Sequence, residues 1–219
     1  MHRLMVTSST YRQSSHSVNP KAEGMDSQNR LLWQFNRQRL EGEAIRDSVL
    51  AVSGRLNLAQ GGPPVFPPLP EGLDKELLTA DDINMWETSR EPDALKRSIY
   101  VFQRRSLNLP ILETFDAPVF TTSCSRRGVS TTPLQALAMY DGFFVNTEAK
   151  YFAQRVQTEG GRTPEEQIRR AFQVVFGRSP TVAEVKRSLG LFNATRSQEE
   201  ALVGLCRVLL NSNEFVYVD

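Results

Sequence analysis

Three times in its last 60 residues the chain writes the same punctuation: TPEE at 163–166, TVAE at 181–184 and SQEE at 197–200. In each, a Ser or Thr able to cap a helix stands three residues before a Glu able to reach back to the cap's own amide. Each box precedes an amphipathic run, and glycines at 160, 161 and 177 punctuate the gaps between runs. A chain that starts helices this often, with connections this short, is confined to a helical bundle-like unit. Upstream, Thr132 and Pro133 read as N-cap and first helical residue. Leu134, Leu137 and Ala138 then share a face until Asp141-Gly142 interrupts. The next helix carries Phe144, Val145, Phe152 and Val156. The last carries Ala201, Leu202, Leu205, Leu209 and Leu210.

The first half is less regular. Residues 1–24 are polar, with NPKAEG as a loop signal. From Asp26 the pattern is read as helical, with Leu31, Leu32 and Phe35 on one stripe. After NRQRL, which is read as a short turn or as continuous helix, Leu40, Ala44, Ile45, Ser48, Val49 and Val52 form a stripe up to a C-capping Gly54. On the opposite, solvated face this reading places Arg37, Arg39, Glu41, Glu43, Arg46 and Asp47. The stretch GGPPVFPPLP, 61–70, excludes helix and central strand, because proline fixes φ and removes an amide donor. Val65, Phe66 and Leu69 favour a strap packed on the core over a free linker. Residues 71–95 read as polar and irregular around Trp86. RSIYVFQRR at 97–105 has strand composition but no partner strand, so it is read as helix. NLPILETFDAPVF reads as extended loop.

The expectation is a mainly α chain with a bundle-like C-terminal unit, long Pro-rich irregular segments and little or no strand. Its parts are residues 1–60, a polar lead-in plus helices, 61–132, the Pro-rich irregular segment, and 133–219, the helical unit. Together they read as one domain.

Chemistry is constrained by what the chain lacks. Its only two histidines are His2 and His16, and its only two cysteines, Cys124 and Cys206, lie outside any C-x-x-C pattern. Zinc and haem-attachment constellations are therefore missing, and a histidine-based triad would have to use the polar N-terminus. No catalytic residue, metal or cofactor is implied. A net charge of +1 sets up no general field for nucleic acid, and no apolar run reaches the roughly 18 residues of a membrane span. The cluster Lys96, Arg97, Arg104 and Arg105 lacks the interleaved aromatics of a nucleic-acid platform. Asp81–Asp82 and Glu165–Glu166 pair carboxylates only superficially, the latter pair being first-turn acids. Tyr11, Arg12 and Gln13 are read either as a polar ligand rim or as a frayed terminus.

One stretch invites a site. In SCSRRGVSTTPLQAL, 123–137, Arg126 and Arg127 precede a helix N-terminus bearing Thr131, Thr132 and Gln135. Free amides and the helix dipole favour an anion there, and the arginines add charge. With Asp116 this makes a candidate anion site: Arg126, Arg127, Thr131, Thr132, Gln135 and Asp116. The competing reading is a self-capped helix whose arginine pairs internally, with Asp116 as the partner.

Several stretches together resemble a planctomycete-specific domain of unknown function found in proteins with cytochrome-c-like domains. They are LMVTSSTYRQSS, NRLLWQFNRQRLEGEAIRDSVLAVSGRLN, GGPPVFPPLP, RSIYVFQRRSLNLPILETFDAP, TTSCSRRGVSTTPLQALAMYDGFFVN, GRSPTVAEV and LCRVLLNSNEFVYVD. The likeness runs in order along nearly the whole chain. It implies an extracytoplasmic setting, although the opening residues lack a signal peptide's apolar core. It also implies that the chain is the C-terminal portion of a longer domain. Where the family has an Asn-Asp or Asn-Gly pair after the QAL helix, this chain has Tyr140 and Asp141.

The leading expectation is a non-enzymatic helical accessory or interaction domain of a larger envelope protein, partnered by that protein's upstream domains or by a homologous partner protein. The rival is a fragment of an enzyme or binding module that takes an anionic small molecule or glycan at the Arg-rich helix start.

Overall fold

In a computed structural model, residues 1–70, 86–104, 107–118, 123–195 and 197–218 are described. They form a mainly α structure, with one two-residue strand pair as its only named sheet. Two short helices, α1 (His2–Val6) and α2 (Pro20–Met25), precede β1 (Gln38–Arg39) and α3 (Gly42–Ser53). A five-residue helix, α4 (Pro110–Thr114), follows the irregular middle. Five more then complete the C-terminal part: α5 (Pro133–Asp141), α6 (Phe143–Glu159), α7 (Pro164–Phe176), α8 (Val182–Ala194) and α9 (Gln198–Leu210). A single turn, α10 (Asn213–Val216), leads into β2 (Tyr217–Val218). β2 returns antiparallel to β1, pairing Arg39 with Tyr217.

α6 is the axis of the core. Val145, Ala149, Phe152, Ala153 and Val156 are all buried at helical spacing. α9 packs along it with Ala201, Leu202, Leu205, Cys206, Leu209 and Leu210, and α3 packs against it with Ile45, Val49 and Val52. α7 adds Ile168, Ala171 and Phe172. The capping boxes at Thr163 and Thr181 are closed in both directions, and the Ser197 side chain accepts from the Glu200 amide. Gly54, at φ 81°, ends α3 in the left-handed region that an L side chain rarely adopts.

Four local expectations give way to competing interactions. Residues 26–37 do not form a helix. The Asp26 carboxylate accepts from the Arg30 and Leu31 amides, and Asn29 Oδ1 accepts from Gln34 N. These side chains take the amides that a helical ladder would have used. Asn29 and Leu32 adopt positive φ, and Leu31 is 82% exposed. NPKAEG, read as loop, holds α2, whose first turn is capped by the Asn19 side chain. The extended reading of 108–120 fails at α4, which Pro110 begins at its first position. Residues 97–104 are neither strand nor α-helix. A single 3-10 turn at Ser98–Tyr100 leads to one bridge, from Val101 to Val65.

That bridge seats part of the Pro-rich stretch. The Val65 amide donates to the Tyr100 carbonyl at 2.8 Å, and the Phe102 amide donates to Val65's at 2.9 Å. Val65 is buried, Phe66 packs edge-on against Trp86, and the Trp86 indole donates to the Pro67 carbonyl. The irregular reading of 71–95 falls largely on residues outside those described, as do Asp81, Asp82 and Arg105.

The α5–α6 junction is set by Gly142, which ends one helix and begins the next. Its φ of −62° suits any residue, yet a Cβ there would lie 2.2 Å from the Ala138 carbonyl oxygen. Gly190, inside α8, has nothing within 4 Å of the same added atom. Gly142→Ala is therefore expected to destabilise the protein by about 1–3 kcal/mol through overpacking. Gly190→Ala is expected to stabilise it by about 0.5–1 kcal/mol through backbone entropy. Urea-unfolding midpoints of the two variants should move in opposite directions.

Candidate functional site

Of the predicted residues, only Gln135 meets Asp116 among the described contacts, and the other partners of Asp116 were not predicted. Asp116 follows α4 at φ 62°, a conformation that aspartate tolerates better than most residues. Its carboxylate accepts from the Ser130 amide at 2.7 Å and from the Ser130 hydroxyl at 2.8 Å. Arg39, in β1, donates to it at 2.6 Å, and the Gln135 side chain reaches it at 3.5 Å. Gln135, buried in the first turn of α5, also donates to the Thr114 carbonyl and accepts from the Thr132 amide. An internal carboxylate thus meets the Gln135 side chain that was assigned to an external anion.

Arg127 faces elsewhere. Its guanidinium donates to Glu41 at 2.9 Å and to Glu43 at 3.0 Å. Arg126 is exposed, and among the described residues its side chain makes no hydrogen bond or ion pair. Thr131 and Thr132 are exposed, with Thr132 as the N-cap of α5. The internal partner of Asp116 is Arg39, 77 positions away in sequence. Arg39 was read as solvated, but only 3% of its side chain is accessible. It is drawn inward because Asp116, the Leu40 carbonyl and the Phe115 ring offer it partners.

α5 also turns its apolar side the other way. Leu134 and Leu137, read as core, are 68% and 56% exposed, while Gln135 and Met139 are buried. The Gln135 hydrogen bonds fix that rotation. Lys96 and Arg97 do not form a basic stripe. Lys96 is buried and pairs with Asp93 at 3.0 Å, and Arg97 pairs with Asp47. Gln13 donates to the Leu32 carbonyl. Both cysteines are free thiols, Cys124 exposed and Cys206 buried, and burial pushes the Cys206 thiol up. Among the described residues no cluster of metal-ligating side chains occurs, and no helix is long and apolar enough to cross a membrane.

A second charged group escaped the sequence reading altogether. Arg46, read as solvated, is 1% exposed. It donates to the Ala94 and Lys96 carbonyls at 3.0 and 2.9 Å and to the Ser98 hydroxyl at 3.2 Å. Burial pulls its guanidinium down to about 10, with Asp47 and Glu148 opposing, so it stays cationic at neutral pH. Glu148, on the core face of α6, is 2% exposed and accepts from Arg55 at 2.7 Å. Burial holds its carboxyl above the usual 4.5, against the nearby Ser53 hydroxyl, Arg55 and Arg46. With its native value raised, deprotonation of Glu148 weakens the fold above that value, and falling pH relieves the penalty. Arg55 also pairs with Glu91 and lies 3.9 Å from the Tyr151 ring centroid. The legible signal was an acid inside the apolar run Val145, Ala149, Phe152 of α6.

Fold and site together define a small helical domain whose sequence-predicted polar groups serve largely to tie its segments together. The chain belongs to the PSD1 family, proteins of unknown function (DUF1553), whose family model matches residues 1–192. No curated protein and no solved structure matches it.

Burial pushes the Asp116 carboxyl up, but Ser130, Arg39 and Gln135 more than offset this and leave it below the usual 3.8. Its contribution to stability is present above 3.8 and is lost as pH falls through the lowered native value. Asp116→Asn keeps a residue that tolerates the backbone angle while removing the charge. It is expected to cost about 1–3 kcal/mol at pH 7, the scale of charge-assisted hydrogen bonds. The gap from wild type should narrow below pH 3.8 in paired denaturant titrations.

Proposed function

We propose that this chain is a non-enzymatic helical interaction domain that docks on another protein surface through the outward side of α5. The observation carrying this reading is the exposure of Leu134, Leu137, Tyr140 and Phe143, all at least half exposed, with Val129 beside them in the preceding loop. Single exposed apolar residues are ordinary, but a group of five on one short helix and its flanks is the signature of a contact surface. The inward side of α5 is held by the Gln135 hydrogen bonds and by buried Met139, so the helix is not free to roll its leucines inward. The engagement of Arg127 by two glutamates and of Asp116 by Arg39 favours docking over anion chemistry at this end. The family resemblance favours a partner among the domains of a larger envelope protein that carries a cytochrome-c-like domain.

Leu134→Glu with Leu137→Glu should leave the unfolding free energy within about 0.5 kcal/mol, as surface substitutions do. The isolated wild-type chain is expected to self-associate with rising concentration when measured by sedimentation velocity, and the double variant is expected to lose that self-association. A wild-type chain that stays monomeric at high concentration and behaves like the double variant would overturn the reading.

A further inference from the structure

Burial does little to hold α8 in place. Its 13 residues bury one side chain, that of Ser188, whereas the equally long α9 buries six. Val185, Leu189, Leu191 and Phe192 lean on the core but are only partly covered, and Val182 stands in solvent. Gly190 lies inside the helix with nothing within 4 Å of an added Cβ, so it weakens α8 without serving a close approach. On the α9 side Leu191 faces Gly204, which has no side chain to grip it; a Cβ there would lie 3.7 Å from Leu191 Cδ2.

What fastens α8 is charge at its first turn. Arg178, in the connection from α7, donates through both terminal nitrogens to Glu184 at 3.0 and 2.7 Å. Its Nε and Nη2 donate to Glu214 of α10 at 2.6 and 2.7 Å. The guanidinium lies 5.6 and 5.4 Å from the ring centroids of Phe172 and Phe176, both on α7. Glu184 also closes the α8 capping box, accepting from the Thr181 amide at 2.6 Å. One arginine thus ties the start of α8 to α7 and α10. The side chains of Arg178, Glu184 and Glu214 are 37%, 28% and 41% accessible, so water and salt reach the cluster.

A helix attached chiefly by a solvated ion cluster opens before one attached by apolar burial, because the free energy of local opening follows the buried apolar contacts. Just upstream, Gly177 ends α7 at φ 68°, with nothing within 4 Å of an added Cβ. It is a joint at which the chain can turn without moving α7. We propose that α8 is a latched flap that opens as a unit while α6, α7 and α9 stay folded, with Arg178 as the latch and ionic strength setting how often it is released. Opening frees the apolar side of α8 and bares the α7 and α9 surfaces on which it rests.

Hydrogen exchange of the full chain under native conditions, read by mass spectrometry, tests this. After correction for intrinsic rates, α8 amides should exchange at least about tenfold faster than those of α7 and α9. Raising NaCl from about 0.1 M to about 1 M should speed α8 exchange about threefold. Arg178→Gln at low salt should speed it about fivefold and remove most of the salt response. Gly190→Ala should slow it about threefold. Exchange of α8 in step with α7 and α9 in the wild type overturns the proposal, since the helix would then be lost only with the whole fold. So does a salt response that survives Arg178→Gln, or a variant in which α7 and α9 are speeded as much as α8. If the melting curve shows that Arg178→Gln does not fold, the wild-type salt response and the slowing by Gly190→Ala decide, and the absence of either overturns the proposal.

Discussion

The inward turn of Arg46 is the interaction on which the irregular half of the molecule depends. A guanidinium at 1% exposure is costly unless its donors are met, and here the chain between Ala94 and Ser98 meets them with two carbonyls and a hydroxyl. The next residue, Asp47, accepts from the amide and hydroxyl of Ser98 at 2.7 Å each. Two consecutive side chains of α3 thus organise a segment that has almost no backbone ladder of its own. Fixing Ser98 fixes the turn to Val101, and the hydrogen bonds around Val101 in turn seat Val65. The Pro-rich stretch is positioned against the core at this point by a charged pair of residues on a helix.

Asp116 does the corresponding work at the other end. It gathers β1, the end of α4, the 123–132 loop and the start of α5 onto one carboxylate. Because Gln135 is tied into the same group, the rotation of α5 about its axis is decided by polar contacts. Its leucines are left outside as a consequence. Here a hydrogen-bond network outweighs the apolar pattern that would have turned Leu134 and Leu137 inward.

The two regions give the domain two different surfaces. Around α5, charges are spent internally and apolar side chains face out, which is the chemistry of contact with another polypeptide. Between α4 and α6 the arrangement is reversed, with a largely apolar cavity bordered by Arg46, Arg55 and Glu148. Neither surface involves a histidine or, among the described residues, a cluster of metal-ligating side chains.

Capping boxes, the Thr132–Pro133 start, the Gly54 stop and the stripes of α3, α6 and α9 were legible in the residues, because each depends on partners within a few positions. The starts of α5, α7, α8 and α9 followed from them, while the single turn of α10 did not. What the sequence could not carry was any interaction spanning tens of residues between polar groups. Arg39 and Asp116, or Arg46 and the carbonyls of Ala94 and Lys96, look like surface charges until the fold brings them together. Residues 26–37 were misread for the converse reason: Asp26 and Asn29 take local amides that periodicity alone assigns to a helix. By itself the sequence determined a mainly α chain, with the starts of its longer C-terminal helices in order. Only the tertiary structure decided which charges were buried, which side of α5 faced out and where a cavity remained, because burial of a charge is settled by partners that are distant in sequence.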